Sequence, residues 1–175
     1  MLTFSRKVSL TCGGPETTTE RTMTLKLLIA AMSTAVVALS TAALAQSGQF
    51  GTAQEAKAML DKAVAAVKTD RDAALAMFNN GEGGFKDRDL YPFCFNLSDG
   101  KFVAAIKQLL GTDARVLKDP TGKVFGPELY AAAQKPGVTE VSYMFPRPGN
   151  DKTPVPKVTF ITRAGDLGCG VGYYK

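Results

Sequence analysis

Between residues 52 and 80 apolar side chains return every three or four positions. Ala56, Met59, Leu60, Ala63, Val64 and Val67 form one stripe, and Glu55, Lys57, Asp61, Lys62 and Lys68 lie off it. That spacing predicts a long amphipathic helix, in one piece or two. Thr52 with Glu55 three residues on is a capping box at its start, and Asn79, Asn80 and Gly81 supply residues that tolerate the left-handed conformation at its end. After the loop "NNGEGGFKDRD" the pattern changes to short β-type runs. "LYPFCFNL" (90–97) and "KFVAAI" (101–106) read as the two strands of a hairpin around "SDG", with Pro92 placing the start of the first at a sheet edge or before regular pairing.

Residues 107–135 show no steady period. A turn is expected at 119–122, and a short helix starts at Pro127 and stops before Pro136 and Gly137. Three β-rich runs close the chain at 138–145, 157–164 and 167–174, the first two joined by "PRPGNDKTPVP". Helix, hairpin, irregular helical segment and three-strand meander together predict an α+β domain with an antiparallel sheet.

The chain has 175 residues, and its first 45 carry none of this patterning. From Met23, Lys26 supplies a positive n-region, residues 27–39 an apolar stretch, and Ala43-Leu44-Ala45 a small-x-small cleavage site, which together predict a secretory signal peptide over 23–45. Residues 1–22 read as an over-extended start, with Met23 the initiator. A retained anchor is the competing reading, since residues 25–45 carry a single charge over a span-length stretch, diluted by Ser33, Thr34, Ser40 and Thr41. On the signal-peptide reading the mature protein starts near Gln46 in the periplasm or outside the cell, with 46–51 a linker and 52–175 a single domain, a normal size for one core.

Residues 46–175 hold 17 basic and 14 acidic side chains with the signs interleaved. That mild balance points away from nucleic acid and gives a weak bias toward small anions. The chain has no histidine, and Cys94 and Cys169 are the two cysteines left beyond the leader. Ser-His-Asp and Cys-His catalysis are therefore excluded, and no clustered zinc ligand set can be assembled. No enzyme, metal or cofactor is expected. Gly81, Gly83 and Gly84 follow a helix and precede a strand, the reverse of a phosphate-binding loop. Gly168, Gly170 and Gly172 leave no room for the helix that a dinucleotide fingerprint requires; they leave one strand face bare, where another group can pack closely.

The order of elements, with "FKDRDLYPFCFNLSDGKFVA", "LKDPTGKVFGPELYAAA", "VSYMFPRP" and "CGVGYYK", resembles a Cache domain of the single-unit extracytoplasmic type over roughly residues 52–175. The resemblance implies a PAS-like fold: a long N-terminal helix packed on a five-stranded antiparallel sheet of order 2-1-5-4-3, with a pocket between the sheet and the irregular segment after strand 2. It also implies a ligand-sensing module for a small carboxylate or amino acid, working through a membrane receptor or kinase. In that strand order Cys94 and Cys169 sit on adjacent strands, and in an oxidising compartment a disulfide is implied. Where relatives often carry a histidine and proline after strand 2, this chain has Ala105 and Ile106, and where they carry a tyrosine in strand 4 it has Phe160.

Site candidates follow by location. Tyr143 and Tyr91 offer an apolar body with a polar tip, Phe145 and Phe160 line neighbouring strands, and Arg115 and Arg88, with Lys118, are the cations nearest the expected pocket. The strand pattern sets Val158, Phe160 and Thr162 on one face, with Lys157 and Arg163 on the other. Asp87 and Asp89 beside Arg88 read as a polar loop. The long helix is a candidate surface for pairing with a second copy. The alternative reading of the whole is a docking protein of the same fold whose pocket is filled by Phe160 and its neighbours.

Overall fold

The computed structural model describes residues 48–175. The expected leader, the segment before it and the first two linker residues lie outside the described residues. Helix α1 (Ala53–Thr69) and helix α2 (Arg71–Asn80) are two pieces of the predicted helix. The capping box forms as expected: Glu55 N donates to the Thr52 hydroxyl, and Thr52 N donates to the Glu55 carboxylate at 2.8 Å. Asp70 makes the break. Its extended backbone ends α1 while its side chain accepts from Ala73 N and caps α2. Gly81 closes α2 in the left-handed conformation, φ 70°.

Strands β1 (Pro92–Asn96), β2 (Phe102–Ala104), β3 (Thr139–Pro146), β4 (Pro154–Ala164) and β5 (Leu167–Tyr174) form one antiparallel sheet of order β2-β1-β5-β4-β3. The proline-rich loop is shorter than the sequence suggested: Pro146 pairs with Pro154, and Met144 with Pro156. The prolines fit because β5 ends opposite Lys157, so the first residues of β4 run beyond it with β3 as their one sheet neighbour.

Each sheet face has its own core. On one side Ala56, Met59, Leu60 and Ala63 of α1, with Leu75 and Phe78 of α2, pack on Leu167, Cys169 and Val171 of β5. On the other, Phe93, Phe95, Phe102, Val141 and Ile161 pack against Phe125, Leu129 and Ala132 of the irregular segment and its helix α3 (Gly126–Ala132). Asp119 clamps that segment to the sheet. Its buried carboxylate accepts from Thr121 N, Thr121 Oγ1 and Lys123 N through Oδ1, and from Met144 N of β3 at 3.0 Å through Oδ2. These bonds favour the ionised form, and they hold the carboxyl below the usual carboxylate range.

Cys94 and Cys169 lie directly opposite in the β1–β5 ladder and form a disulfide, fully buried on the helix side. It closes a loop between positions 75 apart. In the chain-entropy account a loop of this length stabilises by about 4 kcal/mol. Replacing both cysteines by alanine should lower the free energy of unfolding in urea by about that amount. A change under ~1 kcal/mol would mean that the crosslink scarcely restricts the unfolded chain.

Candidate functional site

The alternation of β5 shapes the second face. Gly168, Gly170 and Gly172 all point away from the helices. A Cβ at Gly168 would meet the Phe95 ring and Ala133, at Gly170 the Phe93 ring, and at Gly172 Lys157 Cε at 2.6 Å and Thr159 Oγ1 at 2.8 Å. The missing side chains let two phenylalanines from β1 and one lysine from β4 lie flat on β5. Above them, between the sheet and the irregular segment, is a cavity of about 120 Å³. Tyr91, Phe93, Tyr143, Phe145, Lys157 and Gly172 form its sheet-side wall, and Ile106, Leu117, Phe125 and Leu129 face them.

Of the six side chains expected at a site, Tyr143, Tyr91 and Phe145 converge here. The Tyr143 ring stacks on Phe125 with centroids 4.1 Å apart, and its hydroxyl shares a 2.9 Å hydrogen bond with Thr159 Oγ1. Burial pushes its hydroxyl pKa well above the ordinary tyrosine value. Burial, helped by the nearby Asp89 charge, pushes Tyr91 up to about 12.

The other three are elsewhere. Phe160 is on the helix-facing side of β4, stacked on Tyr173 with centroids 5.4 Å apart, and the alternation of the strand turns it away from the cavity. It does not fill the space that the docking alternative assigned to it. Arg115 is exposed: its Nε and Nη2 donate to the Asp113 carboxylate and Nη2 to the Asp99 carbonyl, with the guanidinium over Tyr130. Arg88 adopts a left-handed backbone, φ 55°, and is occupied in holding the segment that leads into α1. Nη2 donates to Glu55 Oε1 at 2.6 Å and Asp87 Oδ2 at 2.7 Å, and Nη1 donates to the carbonyls of Gly48 and Phe50. Hydrogen bonds from the Thr52 backbone and from Arg88 pull Glu55 down to about 2. Arg88 lines an outer cleft of about 320 Å³ that shares Tyr91, Ala105 and Ile106 with the inner cavity.

Lys118, a candidate cation from the sequence, lines the cavity from the irregular segment but is exposed; the buried cation there is Lys157, which the sequence reading set aside on the far face of β4. It is 4% exposed. Its Nζ sits over the rings of Tyr174 at 4.6 Å, Tyr91 at 5.3 Å and Phe145 at 5.3 Å. Among the described residues no side chain or carbonyl accepts a hydrogen bond from it. Desolvation pushes its pKa down to about 8, against the opposing pull of the Asp89 carboxylate. The three ring faces compensate part of the lost hydration, each such contact contributing about 0.5 to 2 kcal/mol as it becomes drier. Asp89 itself is buried, no longer the solvated loop residue the sequence suggested; its Oδ1 accepts from Gly51 N at 2.6 Å. The signal that could have found Lys157 is the bare face of β5: a lysine on the neighbouring strand, on the same face as those glycines, has room to lie down there.

A family model described as Single Cache domain 2 matches residues 17–173, and the chain belongs to that family. Domains of this kind are extracytoplasmic sensors of small molecules. A solved structure described as the periplasmic sensor domain of a chemotaxis protein is 26% identical, with a TM-score of 0.52 over 69% of this chain and 88% of its own. The crystal structure of a methyl-accepting chemotaxis protein from Vibrio parahaemolyticus is 24% identical with a TM-score of 0.55, covering 69% and 86%, and shows a common fold. No curated protein matches the chain. Among the described residues no helix is long and apolar enough to cross a membrane.

The buried lysine fixes a pH dependence of stability. Between pH 8 and the ordinary lysine value of 10.5 the unfolded chain holds the proton that folded Lys157 has released, so stability rises with pH across that window. The full rise would be about 3 kcal/mol. Tyr91, Tyr143 and Tyr174 are all pushed upward, so above pH 10 the unfolded chain ionises first and stability falls again. Urea unfolding should therefore show greatest stability near pH 10, and Lys157→Met should abolish the rise from pH 8. A flat wild-type profile would mean that Lys157 titrates as it does in water.

Proposed function

We propose that this domain senses a short-chain monocarboxylate, bound in the inner cavity with its carboxylate on Lys157. The single observation that carries this reading is a lysine only 4% exposed whose ammonium has no acceptor among the described residues and lies at a largely apolar cavity. An anion there would supply the missing acceptor, and a charge-assisted bond in so dry a site is strong. Tyr143 and Tyr91 would offer hydroxyl groups, and Phe145 an apolar wall. The size of the cavity supports a small ligand: a cavity of about 150 Å³ takes benzene, so this one suits acids of up to about five or six non-hydrogen atoms. The lining contains no carboxylate to hold an ammonium group, which favours an organic acid over an amino acid. Arg88 and Arg115 already have partners and are not the anion's cations on this reading. The occupied domain would be read by a membrane receptor or kinase outside the cytoplasm; a relative described as a chemotaxis sensor domain supports that setting.

Thermal unfolding of the purified protein against acetate, propionate, butyrate, lactate, pyruvate and a panel of amino acids tests the proposal. Ligand at a hundred times its dissociation constant stabilises by about 2.7 kcal/mol, a rise of several degrees in a domain of this size. We expect a shift with short monocarboxylates at pH 7, reduced by Tyr143→Phe and lost in Lys157→Met. No shift with any acid would remove the sensor reading and leave a docking role for the fold.

A further inference from the structure

Beside the inner cavity lies the outer cleft, larger at about 320 Å³ against about 120 Å³. Phe78, Pro92 and Pro148 give the cleft apolar surface of its own. Tyr91, Ala105 and Ile106 line both spaces, and so form the wall between them. What that wall lets through decides how long a molecule the inner cavity can hold.

The three wall residues are not equivalent. Ala105 has only a methyl group to offer. The Tyr91 ring lies against the Lys157 ammonium, with Nζ 5.3 Å from its centroid, so it belongs to the charged end of the site. Ile106, half-buried just after β2, is the branched aliphatic side chain of the wall. The backbone that carries it is held from two directions. Asn79, near the end of α2, donates from Nδ2 to the Val103 carbonyl at 3.0 Å and accepts through Oδ1 from Ala105 N at 3.3 Å. The Ile106 carbonyl itself accepts from Leu109 N at 2.9 Å. A β-branched side chain has a restricted choice of χ1, and on a backbone tied in this way it stands as a fixed partition.

We propose that Ile106 is a specificity-determining residue of the anion site: it closes the inner cavity against the outer cleft and so sets the longest acid that the site accepts. This rests on the monocarboxylate reading above and adds to it the residue that limits chain length. With the carboxylate on Lys157, the tail of a short acid ends inside the cavity, where each methylene in apolar contact adds about fourfold to affinity. A longer tail meets Ile106, and forcing extra carbons into a filled site costs about tenfold or more. With the wall opened, the same tail passes into the outer cleft and onto Phe78 and Pro92. Ile106 is the member of the wall that can be trimmed without disturbing the ring that Tyr91 sets against Lys157.

The test compares two chain-length series in the wild type and in Ile106→Ala. In the first, calorimetry at pH 7 measures the affinity for acetate, propionate, butyrate, hexanoate and octanoate. In the wild type it should rise about fourfold per methylene as far as butyrate and drop about tenfold or more at hexanoate. Ile106→Ala removes three carbons, so simple enlargement of the cavity would extend the limit by no more than that. Joining the cavity to the cleft should instead carry the rise through to octanoate. A wild type that binds octanoate as tightly as butyrate overturns the proposal, whether or not the variant folds. So does a limit in Ile106→Ala that moves by three carbons or fewer. The second series, linear alcohols from propan-1-ol to octan-1-ol, probes the same wall without a charge and is followed through the NMR shifts of the Leu129 methyl groups in the cavity lining. If no acid binds but the alcohols show a limit that Ile106→Ala removes, the monocarboxylate reading is lost and the role of Ile106 stands. If acids bind and neither limit moves, the role of Ile106 is lost and the monocarboxylate reading stands. If neither series enters the cavity, both are overturned.

Discussion

The pairing of β1 with β5 is the constraint on which the rest of the molecule depends. It joins chain segments 75 positions apart, locks them with a disulfide on the helix side and sets the glycines of β5 beneath Phe93 and Phe95 on the other. The two consequences are linked by the strand period of two: once Cys169 faces the helices, Gly168 and Gly170 must face the irregular segment. Any one-residue slip would bury the glycines under α1 and turn the disulfide into the cavity side. The crosslink therefore fixes register as well as stabilising the chain.

From that register comes the chemistry. Gly172 opens a slot in which a lysine can lie along the sheet, and the rings of Tyr91, Phe145 and Tyr174 then close around its end. A lysine with its stem on the sheet and its head in an apolar cavity reverses the usual arrangement, in which the stem is buried and the head reaches water. On the proposed reading, an anion would supply the acceptor that this ammonium lacks among the described residues. The cations that the loops offer, Arg88 and Arg115, are spent on organising those loops, one at the start of α1 and one at the turn after β2.

The long amphipathic helix, its capping box, the hairpin, the short helix and the closing meander were legible in the sequence, because each is written in local period and turn chemistry; the break at Asp70 was left open there. The placing of Tyr143 and Phe145 beside the expected pocket was legible too: two residues apart on β3, they share one strand face and both line the cavity. The bets on Phe160 and Lys157 went the other way. In β4 both faces are covered, by α1 on one side and the irregular segment on the other, so apolar and long polar side chains occur on both and hydropathy does not say which face meets the cavity. Asp89 was misjudged for a similar reason: a run of Lys86, Asp87, Arg88 and Asp89 reads as solvated, and its last member is buried where Gly51, 38 positions earlier, donates its N–H to the carboxylate.

The sequence by itself determined the elements, their order, the absence of histidine chemistry and, through resemblance, the family and the strand order that makes Cys94 and Cys169 neighbours. The tertiary structure alone decided which cation is buried at the cavity. Local pattern records whether a residue alternates, but the cost and the use of a charge depend on what lies above it in space. For Lys157 that is three aromatic rings and a cavity drawn from separate parts of the chain.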